Sequence, residues 1–185
     1  MKRLIAALLA GLTLFALVGC SAGSKADFAA PKDYSQILHD ARTDEENEYD
    51  MIFTKGEDGK FTAIDGYSAE YEAGQLDDEV RSILLPLLNL EDDMYTDLAA
   101  SLSAMMVRSY AVAIVKPAEG KTQDVVDAMD AYVQSQQKSM EHYLEDQYQI
   151  ASAARVATVP TGEVVMVCCE DSDTVFENIK KALAA

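Results

Sequence analysis

Hydrophobic positions along this chain fall into three successive patterns. Leu4 to Val18 runs without a charged residue and with Thr13 as its one polar interruption. The middle of the chain then shows mixed spacing. Asp33 to Arg42 places Tyr34, Ile37, Leu38 and Ala41 on one side and predicts a short amphipathic helix, with Asp33 able to cap its amino end. Thr43 to Glu48 offers almost no apolar surface and reads as a loop. Met51–Thr54 and Lys60–Ile64 flank Gly56-Glu57-Asp58-Gly59, and the stretch 49–75 reads either as a short hairpin or as an ordered loop over the domain. Between Leu76 and Leu90, Val80, Ile83, Leu84, Leu87 and Leu88 recur at helical spacing, and Pro86 predicts a kink or a stop near Leu85. Glu91-Asp92-Asp93 opens a further turn that offers Met94, Tyr95 and Leu98 to the core.

The carboxy-terminal half alternates between the two periods. Ser101–Arg108 and Tyr110–Lys116 are strand candidates separated by very little chain, which predicts an antiparallel pair. Thr122 to Tyr143 predicts the longest helix, with Val125, Val126, Met129, Val133, Gln136 and Met140 along one face. Ala153–Val159 and Glu163–Cys169 predict a second hairpin closed by Pro160-Thr161-Gly162, and Asp171 or Asp173 caps a last helix to about Ala184. Paired strands with helices between the pairs predict an α+β fold. Its expected core is ββαββα, a largely antiparallel sheet of about four strands with an amino-terminal helical region packed on it. Both alternation faces of Val164–Cys169 are apolar, so both must be covered. The expected cover is the 122–143 helix and the last helix on one face, and the Val80–Leu90 helix on the other, completing the core of a monomer.

Charge narrows the partners. The chain carries 15 basic and 32 acidic side chains, a net of −17. Such a balance argues against nucleic acid and anionic headgroups as partners, since both require basic patches, and it permits a cationic partner without demanding one.

Met1-Lys2-Arg3 ahead of the 15-residue apolar run has the layout of an export signal, the run being short of the ~20 residues of a membrane span. Leu17-Val18-Gly19-Cys20 at its exit resembles the lipobox of bacterial lipoproteins. The resemblance implies a signal peptide over residues 1–19, lipidation of Cys20, a flexible tether over 20–32 and one extracytoplasmic domain over 33–185. Loss of Lys2 and Arg3 with the leader leaves 13 basic against 32 acidic side chains, a net of −19. Two or more acyl chains hold firmly where one binds reversibly, so the implied place is the outer face of the cell membrane.

Further residues carry a second resemblance. Ser101-Leu102-Ser103, the alternating Ala111–Lys116, Gln137-Lys138-Ser139, Tyr143-Leu144, Gln147-Tyr148 and the closing Val164–Val167 strand resemble an uncharacterised family of Gram-positive lipoproteins, domain of unknown function number 4358, over about residues 33–184. Where that family usually has an acidic residue before its alternating strand, this chain has Ser109-Tyr110. The resemblance implies identity and location and brings no catalytic residues.

Candidate chemistry is thin. His39 beside Asp40, and His142 beside Glu141 and Glu145, are the only histidines, without HExxH or paired-histidine spacing, and they read first as surface residues. Cys168-Cys169 admits a vicinal disulfide or a shared metal. In a strand, however, the two side chains point to opposite faces, which favours two small buried hydrophobes. Carboxylate clusters at Asp44–Asp50, Glu91–Asp97 and Glu170–Asp173 lack the ligand alternation and glycine of a calcium loop and read as solvated faces. Tyr132, Tyr143 and Tyr148 with Met129 and Met140 have the spacing of a groove or, more simply, of core. No catalytic, cofactor or metal residue is assigned. The expectation is a lipid-anchored, non-catalytic binding module for a protein or small ligand. The alternative is an envelope enzyme using a carboxylate pair such as Glu141 and Glu145.

Overall fold

The computed structural model describes residues 32–72, 74–105 and 107–185. The expected signal peptide, Cys20 and all but the last residue of the tether lie outside the described residues.

Six strands form one antiparallel sheet in the order β2-β1-β3-β4-β6-β5, with β1 Ile52–Lys55, β2 Phe61–Ile64, β3 Tyr95–Leu102, β4 Ala111–Pro117, β5 Arg155–Thr158 and β6 Val164–Cys168. The expectation of about four strands is corrected to six. The two added strands come from the segment with two readings, where Ile52–Lys55 pairs with Phe61–Ile64 and then with β3 through Phe53↔Ala100. β3 also lies earlier than expected. The connection to β4 had been read as almost nothing, yet a reversal needs turn residues, and the eight residues 103–110 supply it. Tyr95 and Leu98 satisfy helical spacing, but pairing with β4 across Leu98↔Val115 and Ser101↔Val112 draws them into a strand.

The central strands are dry on both faces. Ala111 to Val115 and Val164 to Cys168 are buried without exception. Alternation sends Ala113, Val115, Val164 and Met166 into one core and Val112, Ile114, Val165, Val167 and Cys169 into another. The first core is covered by helix α5 (Thr122–Met140) together with α3 (Gln75–Glu79), a π-helical stretch (Val80–Leu84) and α4 (Leu85–Leu87). The second is covered by α1 (Tyr34–Ala41) and α7 (Ser172–Ala184), which pack against each other and bury Leu38, Ile179 and Leu183 in the same core. The expected partition was therefore wrong. The Val80–Leu90 segment shares a face with the long helix, and α1 completes the opposite one. A helix of 19 residues spans only about 28 Å and cannot cover a six-stranded face alone, so it takes the 75–87 segment as its neighbour.

Two local details bear on the site. Pro86 does not break the 75–87 segment where expected. The Leu85 N–H bonds the Val80 carbonyl, and the Leu90 N–H bonds the Leu85 carbonyl, both five residues back, and this wider turn makes room for the ring. Thr43–Glu48, read as a loop, begins α2 (Asp44–Tyr49). The Thr43 hydroxyl accepts from the Glu46 N–H, and Glu46 accepts from the Thr43 N–H, a reciprocal cap that makes up for the missing apolar face. The long helix stops at Met140, three residues early, and α6 (Glu145–Ser152) follows.

A candidate ligand cleft over a buried arginine network

At one end of β3 and β4 the dry core gives way to buried charge. Arg42 ends α1, and its side chain has no exposure. Nη1 donates to Ser101 Oγ at 2.7 Å, to the Tyr110 hydroxyl at 3.1 Å and to the Asp50 carbonyl at 3.1 Å. Nε and Nη2 share Asn47 Oδ1, and Nη2 also reaches Asp65 Oδ2 at 3.1 Å. A guanidinium tolerates such burial because its planar fork matches several acceptors at once. The network ties α1, α2, β3 and β4 to the turn after β2.

That turn is strained. Asp65 has φ 63° and ψ 176°, a region that costs a non-glycine residue about 1–3 kcal/mol. Arg42 holds its carboxylate, and so does His39 through Nδ1 at 2.8 Å. Gly66 follows at φ 47°, so close to the chain that a Cβ would sit 2.6 Å from the Met51 nitrogen. Any other residue here would push the turn away from Asp50-Met51 and deform what lies above.

A cleft of about 830 Å³ lies above, walled by α2, the turn after β2, the β3–β4 loop, α6 and the turn from β6 into α7. Six of its lining residues are acidic, among them Glu45, Glu46, Glu79 and Glu170, and Tyr49, Tyr67, Tyr71 and Tyr110 also line it. Arg108 is the one basic side chain among the described lining residues. Its Nη1 donates to Asp50 Oδ1 at 2.7 Å, and its guanidinium carbon stands 4.4 Å from the centre of the Tyr110 ring. The Asp50 side chain is 9% exposed, and its Oδ2 has no hydrogen-bond partner among the described residues. Ser109, 2% exposed and also in the wall, donates its backbone N–H to Gln147 Oε1 at 2.8 Å, while its Oγ has no such partner. Orphaned buried polar atoms are rare and call for an explanation.

Burial pushes the Cys169 thiol in the cleft wall up to about 12, with the charge of Glu46 adding to it, and burial likewise pushes Cys168 up to about 12. Both are free thiols and protonated at neutral pH, so neither is an activated nucleophile. Burial and a 2.8 Å hydrogen bond to Glu79 push the Tyr71 hydroxyl up to about 12, leaving it a donor. Among the described residues no three of the His, Cys, Asp and Glu side chains stand close enough together to hold a metal ion. The cleft carboxylates are therefore spaced along the walls and do not converge.

Several residues singled out in the sequence lie elsewhere. His142 is 88% exposed beyond the end of α5, 3.9 Å from Glu141, and Glu145 opens α6 in solvent, all three away from the cleft. His39 supports Asp65 from outside the cleft lining. Met129, Tyr132 and Met140 are core, Tyr132 donating its hydroxyl to the Tyr110 carbonyl at 3.2 Å, while Tyr143 is 72% exposed. The simpler reading, core, holds for Met129, Tyr132 and Met140, while Tyr143 is exposed and Tyr148 half-buried. Cys168 and Cys169 point to opposite faces as read, the first toward Tyr132 and the second into the α1–α7 core. Two acidic clusters distant in sequence, Asp44–Asp50 and Glu170–Asp173, meet at the cleft, and Glu91–Asp97 stays outside it. Arg42, Asp65 and the four cleft tyrosines were missed. The available signal was an arginine closing an amphipathic helix otherwise destined for the core.

Residues 68–169 match the family model described as Domain of unknown function (DUF4358). The chain belongs to this family. The matched span runs from the turn after β2 through β6 and includes the β3–β4 loop, α6 and Cys169 from the cleft. The α2 wall and the Asp65–Gly66 turn precede it. Comparison with curated proteins and with solved structures gives no match. Among the described residues no helix is long and apolar enough to cross a membrane.

Proposed function

We propose that this chain is a lipid-anchored binding module on the outer face of the cell membrane, tethered through Cys20, whose cleft holds a ligand without transforming it. The observation that carries the binding role is the cleft itself. It is a recess of the size that takes a small ligand, lined by apolar and aromatic side chains together with acidic ones, at the end of the sheet. Asp50 is engaged in an ion pair with Arg108, the Cys169 thiol is held protonated, and no hydroxyl or thiol in the cleft is bonded to a histidine ring among the described residues. The anchor reading rests on Leu17–Cys20 and the apolar run before it.

Two measurements test the two halves. Cells grown with labelled palmitate should tag the wild-type chain and leave Cys20→Ser untagged, and labelling that survives the substitution removes the anchor. A photo-crosslinking side chain placed at Tyr67, on the cleft, should yield a discrete adduct on intact cells, and the same group at exposed Tyr143 should not. Equal adducts at both, or none at Tyr67, removes the cleft as the binding site.

A further inference from the structure

We infer that the cleft ligand is a short cationic peptide segment with an apolar or aromatic side chain beside its basic one. This inference rests on the binding-module reading and specifies its ligand. Three observations converge on it. The first is charge. Among the described lining residues six are acidic against the single Arg108, and the whole chain stands at −17, so the field in the recess draws cations and repels anions.

The second is that the cleft already holds a guanidinium in the manner expected of a ligand. Arg108 sits with Asp50 Oδ1 at 2.7 Å and the Tyr110 ring at 4.4 Å, a carboxylate and an aromatic face acting on one cation. Its side chain is one-third exposed and lies on the β3–β4 loop, so it occupies this position from the cleft side. In the same wall Asp50 Oδ2 and Ser109 Oγ are shielded from solvent and have no hydrogen-bond partner among the described residues, so Arg108 satisfies the Asp50 carboxylate only in part. Exposed Tyr49 and Tyr67 at the rim offer further ring faces.

The third observation is spacing. No three acidic groups among the described residues converge as a metal site requires, so the carboxylates match charges distributed along a chain. Between them lie Met51, Leu102, Met105 and Ile150, apolar surface that a bare polyamine would leave uncovered. A volume of about 830 Å³ is near the upper end for a compact ligand and takes an oligopeptide of a few residues. Arg108 then acts as an internal competitor for the Asp50–Tyr110 position.

The test uses the full chain purified in neutral detergent and three fluorescent tetrapeptides with blocked ends. One is Leu-Arg-Tyr-Lys, one replaces both basic residues by glutamate, and one replaces Leu and Tyr by glycine. The first should bind at least ~10-fold more tightly than either other, and weaken ~10-fold as sodium chloride rises from low to high concentration. Glu170→Gln, in the exposed turn before α7, should weaken it severalfold. Arg108→Gln should strengthen it severalfold by vacating the position. Tighter binding of the glutamate peptide, or weakening by Arg108→Gln, overturns the cationic assignment while leaving a binding cleft in place. If no peptide binds and Tyr67 still crosslinks on cells, the ligand is not a peptide of this class and the inference falls alone.

Discussion

The two ends of β3 and β4 are built on opposite principles. From Leu98 to Ala100, opposite Val115 to Ala113, every side chain is apolar and buried, and the two helical layers seal the sheet from both sides. A few residues on, at Ser101 and Tyr110, the same strands run into a buried guanidinium, two carboxylates, a strained turn and two orphaned polar atoms. Apolar burial would have been the more stable way to finish that end, because desolvating a charge costs several kcal/mol and is recovered only with full pairing. The dry end determines that the chain folds. The polar end fixes where α1, α2, β3, β4 and the turn after β2 stand relative to one another, and the cleft lies above them.

The contrast breaks most readily at Arg42. Arg42→Ala strands Asp65, Ser101, Tyr110 and the Asp50 carbonyl without their shared donor, and urea unfolding should show a loss of about 3–5 kcal/mol. A loss below about 1 kcal/mol would mean the network is ornamental to stability and the contrast is false. Met129→Ala tests the dry side. It should cost about 2–5 kcal/mol through an unfilled cavity, while leaving peptide affinity at the cleft unchanged.

A smaller effect is expected where charge meets the α1–α7 layer. The Tyr34 hydroxyl donates to buried Glu163 at 3.0 Å, and Tyr34→Phe should cost about 1–3 kcal/mol. Burial raises the Glu163 carboxyl, but hydrogen bonds, that from Tyr34 among them, outweigh it and hold the group below the usual carboxylate range. A carboxyl depressed in the folded state adds stability above its unfolded pKa of about 4.3, and that share is lost as pH falls through the folded value. Stability of the wild type should therefore fall more steeply than that of Glu163→Gln on acidification below about pH 4. Parallel curves would show that Glu163 has no part in acid sensitivity.

The smallest change concerns the reciprocal cap of α2. Thr43→Ala should cost about 1 kcal/mol of stability, and it should loosen the cleft wall that carries Glu45 and Tyr49, seen as faster amide exchange in residues 44–50. Unchanged exchange there would detach the cap from the cleft.

Much of this architecture could be read along the chain. The doubly apolar run Val164–Cys169 required a sheet covered on both faces, Leu38 and Ile179 stood at helical spacing on segments able to cover it, and the strand period of Cys168-Cys169 sent the thiols apart. The lipobox resemblance at Cys20 and the resemblance in the second half were carried by short contiguous patterns, which is what a sequence displays directly. Even Thr43-Asp44-Glu45-Glu46 spells a capping box, passed over because an acidic segment without apolar residues gives no periodic signal.

Pairing and enclosure were decided only in three dimensions. Hydrophobic spacing says that a helix has a buried side, but not which face of the sheet it meets, since both faces of β4 and β6 are equally apolar. Shape settles that, by placing the 75–87 segment beside α5 and α1 beside α7. Tyr95 and Leu98 fit two periods at once until β4 supplied hydrogen-bond partners. The cleft is the extreme case. Its walls come from residues 43–51, 67–84, 102–110, 147–150 and 169–175, and no one window of sequence contains enough of them to show a pattern. Secondary structure follows from interactions a few residues apart, which a sequence encodes locally. A binding recess follows from packing distant segments around a buried charge, and that relation exists only once the chain is folded.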